Sequence, residues 1–142
     1  MTRFLLDTGI ASDYINRRHG VYERAREEVA RGNVIGIGLP VLAELVAGIE
    51  HSASRDRNMK SLKVALASLK LWPLDQDAAF EYGLIYLELA RIGRPIGIAD
   101  MMIAAIGRTL PKCTVVSADG DYDAVPGLKV ENWRTTRSSA ES

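Results

Sequence analysis

A chain of 142 residues, 47% hydrophobic and 25% charged, has the makeup of one globular domain with a core of its own. Its formal net charge of zero excludes a protein that coats nucleic acid by charge alone, so contact with a polyanion needs a local patch or a bound cation. One cysteine, Cys113, and two histidines, His19 and His51, exclude an intramolecular disulfide and a Cys/His zinc cluster.

Phe4-Leu5-Leu6 reads as a short apolar strand closed by Asp7. That acid interrupts the apolar stretch too early for a signal peptide. Thr8 is expected to cap a helix beginning near Ile10, where Ile10, Ala11, Tyr14 and Ile15 share a face. Gly20 breaks the chain before a charged helix from Val21 to Ala30, and Val34-Ile35-Gly36-Ile37 is a second apolar strand. Pro40 fits the first turn of the next helix, whose stripe of Leu42, Leu45, Val46 and Ile49 is expected to be buried. A basic stretch from His51 to Lys63 runs into an amphipathic helix ending near Leu69. Lys70 to Leu74 is a short strand that Pro73 confines to an edge or an end.

Asp75 caps a long helix that reaches Ile92, carries Phe80, Leu84, Leu87 and Ala90, and is ended by Gly93-Arg94-Pro95. A helix from Ile98 to Leu110, a strand from Thr114 to Ser117 and a last strand from Leu128 to Val130 follow. The polar tail, 134–142, has no apolar period and is expected to be disordered. No run approaches the roughly 18 apolar residues of a membrane span, and the expectation is a cytoplasmic protein. The order β-α-α-β-α-α-β-α-α-β-β predicts an α/β fold, with a central, mostly parallel sheet of four or five strands flanked by helices. Residues 1–133 form the expected domain. Such sheets bind ligands outside the carboxyl ends of their strands.

Four acids stand in unusually apolar surroundings. Asp7 and Asp119 follow apolar strands, Glu44 is the only polar side chain from Leu39 to Gly48, and Asp100 is the only one from Ile98 to Gly107. Desolvating a carboxylate is costly unless it is paired, hydrogen-bonded or metal-bound. Four of them beside core segments predict one cation-filled pocket, and oxygen-only ligands favour Mg²⁺ or Mn²⁺ over Zn²⁺. Each acid also has a plainer reading: Asp7 as a helix cap, Glu44 on a solvated flank, Asp119 in an Asp-Gly turn, Asp100 at a helix start. Asp13, Asp75, Asp77, Asp121 and Asp123 read as surface, cap or turn residues. Arg17, Arg18, Arg24, Arg26 and Arg31 read as a solvated helix face, and Met101-Met102 as core.

Leu5-Leu6-Asp7-Thr8, Glu44-Leu45 ahead of Gly48, Gly93-Arg94-Pro95-Ile96 with Asp100-Met101-Met102-Ile103-Ala104-Ala105, and Ser117-Ala118-Asp119 occur in that order. Val125-Pro126-Gly127-Leu128 and Glu131-Asn132-Trp133 follow. From Phe4 to Trp133 this resembles the PIN-domain ribonucleases, specifically the VapC toxins of bacterial toxin–antitoxin pairs. Two departures are Gly9, where Asn is frequent, and Pro40, where Ser or Thr often stands. The resemblance implies a PIN-like three-layer fold in which Asp7, Glu44, Asp100 and Asp119 bind Mg²⁺ or Mn²⁺ as the catalytic set. Asp121 is the rival for the fourth position.

The resemblance further implies an endoribonuclease that hydrolyses RNA phosphodiesters with metal-activated water, with Ser117 holding a ligand carboxylate from behind. The implied partners are RNA, a cognate antitoxin and a second copy of the chain. The amphipathic segment from Ser54 to Leu69 is expected to offer a groove wall for a partner helix. Two alternatives stay open: a PIN nuclease of RNA processing without an antitoxin, and a receiver-like phospho-accepting domain. The second leaves Glu44 and Asp100 without a role, and Lys112 falls at the wrong end of its strand.

Overall fold

A computed structural model describes residues 1–135. Its elements are β1 (Arg3–Leu6), α1 (Thr8–Asn16), α2 (Val21–Ala30), β2 (Val34–Gly38), α3 (Leu39–Glu50), α4 (Arg55–Leu66), β3 (Lys70–Trp72), α5 (Gln76–Arg91), α6 (Ile98–Thr109), β4 (Cys113–Val116) and β5 (Lys129–Glu131). A single 3₁₀ turn, Gly120–Ala124, lies between β4 and β5. The strands form one sheet in the order β3-β2-β1-β4-β5. Every pairing is parallel, so the expected sheet is present with five strands. Parallel neighbours need crossover connections, which the helices supply.

β1 is central, so Phe4, Leu5 and Leu6 are buried without alternation. Val115 and Val116 of β4 and Ile35 and Ile37 of β2 continue the core to either side. β3 is an edge strand and stops at Trp72, before Pro73, which has no N–H to give the ladder.

Gly36 is fixed by its neighbours. A Cβ there would run into the Lys70 carbonyl and stand 2.7 Å from the Trp72 ring. A backbone carbonyl in a ladder cannot swing away, so Gly36→Ala is expected to cost about 3 kcal/mol in chemical denaturation.

The expected buried stripe of α3 is only half-buried, and the apolar row of α5 faces outward. On α3 only Val41 is fully buried, while Leu42, Leu45, Val46 and Ile49 are half-buried, and Leu45 and Ile49 line a cleft facing α1 and α4. On α5, Phe80, Leu84 and Leu87 are 71%, 52% and 45% exposed, and the buried side chains are Ala78, Ile85 and Leu89. Arg108 of α6 explains the rotation. It pairs with Glu81 at 2.8 Å and Glu88 at 2.6 Å, so the side of α5 bearing those acids faces α6. Because α5 is apolar on several sides, its periodicity alone could not select the buried one.

The helix caps carry a further correction. α1 starts at Thr8 and is capped by Asp7, whose side chain accepts the Ile10 N–H at 2.8 Å. Asp75 caps α5 through the Ala78 N–H at 2.9 Å, as expected. Of the expected tail, Arg134 and Thr135 are bonded to the body. Arg134 Nε donates to Asp13 Oδ2 at 2.6 Å, and the Thr135 N–H donates to the His19 carbonyl at 2.9 Å. Asp13 is therefore no surface residue: only 4% of it is exposed. The remaining tail positions, 136–142, lie outside the described residues.

Candidate active site

β1 and β4 run side by side and end together, Leu6 opposite Val116. The chain turns away from the sheet at both ends, which brings Asp7 and the segment Ser117-Ala118-Asp119 to one place. The Asp7 N–H donates to the Val116 carbonyl at 3.0 Å, so the acid begins where the ladder stops.

Asp7 is 8% exposed and fully employed. Its Oδ1 caps α1, and its Oδ2 accepts the Ser117 hydroxyl at 2.5 Å. The plain reading of Asp7 as a cap and the reading as a pocket acid both hold. Ser117 Oγ also accepts the Asp119 N–H at 2.9 Å, tying the two strand ends through one hydroxyl. Asp119 in turn accepts the Asp121 N–H at 3.0 Å and caps the 3₁₀ turn.

The helices bring the other two acids. Asp100 stands in the first turn of α6, whose cap position is Gly97, so Asp100 is not the cap. Its neighbours on the inward face, Ile103, Ala104 and Gly107, are buried, as the sequence predicts. Asp100 Oδ1 accepts the Tyr122 hydroxyl at 3.0 Å. Glu44, on α3, accepts the Thr8 hydroxyl at 2.5 Å. Thr8, expected as a helix cap, serves the carboxylate instead.

Asp7, Thr8, Gly9, Glu44, Asp100, Ala118, Asp119 and Arg134 line one pocket of about 360 Å³. All four acids singled out from the sequence are in it. Carboxylate oxygens of Asp100, Asp119 and Asp121 lie within 4.8 Å of one another, so both candidates for the fourth position stand beside Asp100.

Burial pushes Asp7 above the usual carboxylate range; its bonds to Ser117 and Ile10 oppose the shift, and the charge of Asp100 adds to it. Burial also pushes Asp100 up, against the Tyr122 hydrogen bond and with the charges of Asp119, Glu44 and Asp121. Like charges in a partly dry pocket favour the protonated forms until a cation compensates them. Tyr122 is fully buried, and burial beside Asp100 raises its phenol, so it acts as a neutral donor. Cys113 is half-buried and its thiol is pushed up to about 12 by burial, which makes it inert.

The charged donors are carboxylate oxygens, and among the described residues no imidazole or thiol lines the pocket. Hard divalent cations suit such a set. The residues fit Mg²⁺ or Mn²⁺.

Tyr122 escaped the sequence reading because Asp119-Gly120-Asp121-Tyr122-Asp123 has the composition of a plain turn. One aromatic among four turn formers was the available signal. Tyr122→Phe removes the bond to Asp100 and little packing. Metal affinity is expected to fall about tenfold while the melting temperature changes little, as read by calorimetric Mn²⁺ titration.

A family model of the PIN domain matches residues 4–128. The chain belongs to the PIN-domain family. Ribonuclease VapC2 of Rickettsia felis is 31% identical over 130 residues, which cover 92% of this chain and 97% of that protein. The tRNA(fMet)-specific endonuclease VapC of Salmonella typhimurium is 31% identical over 134 residues, 94% of this chain and 99% of that one. Among solved structures, VapBC2 of Rickettsia felis bound to a promoter DNA fragment is similar with a TM-score of 0.85 at 30% identity. That match covers 93% of this chain and 99% of the other chain. The receiver-like alternative is set aside by the family and by a pocket that includes Glu44 and Asp100.

Proposed function

We propose that this PIN domain is the toxin of a toxin–antitoxin pair, an Mg²⁺- or Mn²⁺-dependent endoribonuclease that hydrolyses RNA phosphodiesters in the cytoplasm. The observation that carries the proposal is the convergence of Asp7, Glu44, Asp100 and Asp119 on one pocket at the strand ends. These four acids would hold the ion or ions. Ser117 fixes the rotamer of Asp7, Thr8 that of Glu44 and Tyr122 that of Asp100. When bound, a divalent ion supplies polarisation of the phosphate and activation of water at neutral pH. The carboxylates, left alone, repel a phosphodiester, so this pocket accepts RNA only once they are neutralised.

The partner reading rests on the surface. A cleft of about 420 Å³ between α1, α3 and α4 is lined by Ile15, Leu45, Gly48, Ile49, Asn58 and Ser61, among others. It shares Thr8, Gly9 and Glu44 with the acidic pocket. A helix of the antitoxin laid there, with α4 as one wall, brings an Arg or Lys within reach of the carboxylates. The similarity to the VapBC2 complex favours such a partner. The exposed row of Phe80, Leu84 and Leu87 on α5 suits a second copy, making the toxin a homodimer. Among the described residues, no helix is long and apolar enough to cross a membrane.

The Salmonella relative's name makes initiator transfer RNA the first substrate to test. Purified protein with Mn²⁺ is expected to cut it at one position, mapped by sequencing the new 5′ ends. Co-expression with a small DNA-binding protein encoded next to it should suppress the cut. A protein that cuts RNA, is harmless to its host and ignores that neighbour is a processing nuclease instead.

A further inference from the structure

Among the described residues, one cation stands among the acids. Arg134 lines the acidic pocket, and it reaches there from the C-terminal segment rather than from the sheet. Three contacts hold that segment. The Trp133 ring packs on Phe4 with centroids 4.9 Å apart, the Arg134 N–H donates to Asn132 Oδ1 at 2.9 Å, and Thr135 is bonded to His19. Between these anchors, Arg134 Nε donates to Asp13 Oδ2 at 2.6 Å.

The Asp13 side chain is only 5% exposed, whereas that of Arg134 is 38% exposed. The acid is thus committed to the pair and the guanidinium head still meets solvent. The Nε bond also sets the direction of the head. Arg134 Nη2 lies 3.5 Å from where a Cβ on Gly9 would be, so the guanidinium passes within contact distance of Gly9. Gly9 is two residues beyond Asp7 and lines the same pocket. An arginine already fixed by a buried carboxylate loses little rotamer freedom on binding, and its outer nitrogens match the paired oxygens of a phosphate.

We propose that Arg134 binds a phosphate of the RNA backbone at the rim of the acidic pocket, with Asp13 as its positioning residue. The proposal rests on the ribonuclease reading and adds to it a cationic contact supplied by the protein itself. The structural rival is an ion pair that only fastens the C-terminal segment over α1.

Binding of fluorescent initiator transfer RNA, with Ca²⁺ replacing Mg²⁺ at a level that leaves the RNA intact, separates the two. Arg134→Ala is expected to weaken binding about tenfold and to lower the slope of log affinity against log salt by about 0.7, one single-stranded phosphate contact. Arg134→Lys should keep the slope and recover part of the affinity, because the charge remains and the fork is lost. Asp13→Asn should weaken binding with the slope unchanged, since Arg134 keeps its charge but loses its hold. In cleavage, KM should rise in all three variants by more than kcat falls.

Equal affinity and slope for the folded fraction of Arg134→Ala, with a lower melting temperature, overturn the proposal. If Arg134→Ala does not fold, wild-type affinity in both Arg134→Lys and Asp13→Asn overturns it. A wild-type protein that neither binds nor cuts RNA defeats the nuclease reading, and this assignment with it. A wild type that cuts RNA alongside an unaffected Arg134→Ala defeats this assignment alone.

Discussion

Asp100→Asn is expected to lower RNA cleavage by about a thousandfold or more while the protein stays folded. The amide keeps the shape of the side chain and can still accept the Tyr122 hydroxyl that meets Oδ1 at 3.0 Å. It loses the negative charge that a divalent ion requires. The effect on stability has the opposite sign. Asp100 has its folded pKa raised above the ordinary 3.8 by burial, with Asp119, Glu44 and Asp121 adding to it, and burial likewise raises Asp7.

A raised folded value means that the native state holds the proton more tightly than the unfolded chain. The stability such a group contributes is present below about pH 3.8 and is lost as pH rises through the folded value. Metal-free protein should therefore lose stability on going from acid toward neutral pH through these two groups. In EDTA at neutral pH, Asp100→Asn should melt at or above wild type. If Asp100→Asn unfolds, and its remaining activity tracks the folded fraction, Asp100 is structural.

Asp7 separates two roles that the sequence could not. Asp7→Asn keeps an oxygen that can cap α1, because Asn caps nearly as well as Asp. Its amide nitrogen replaces the oxygen that accepted the Ser117 hydroxyl and can only donate there, so that hydroxyl must turn to accept it. It is expected to lose about a thousandfold in cleavage at nearly unchanged denaturation midpoint. Asp7→Ala removes the cap as well, and should lose the same activity plus about 1 kcal/mol of stability. A variant pair in which stability and activity fall in proportion would assign Asp7 to capping alone. The contrast works because Asp7 gives one oxygen to the helix and the other to Ser117.

The sheet was legible because parallel strands buried on both faces are unbroken apolar runs, and Phe4 to Leu6, Val34 to Ile37 and Thr114 to Val116 are such runs. The acids were legible because Asp7 and Asp119 follow such runs and Glu44 and Asp100 stand alone in apolar helix segments, which core segments rarely permit. The rotation of α5 was not legible. Its apolar residues surround the helix, and the choice of side is made by Arg108, at least 20 positions beyond the glutamates it pairs with. Asp13 looked like a surface residue for the same reason, since its partner Arg134 lies 121 positions away. Tyr122 was hidden by a turn-like neighbourhood, and only the approach of α6 gives its hydroxyl a carboxylate to serve.

The central claim is that this acidic pocket works only when a divalent cation fills it. Cleavage of initiator transfer RNA in EDTA, then with excess Mg²⁺ or Mn²⁺ added back, tests it most directly, with the melting temperature followed in the same samples. Cleavage should vanish in EDTA and return with either ion, and the ion should raise the melting temperature of wild type but much less that of Asp100→Asn. Cleavage that continues undiminished in EDTA would contradict the account.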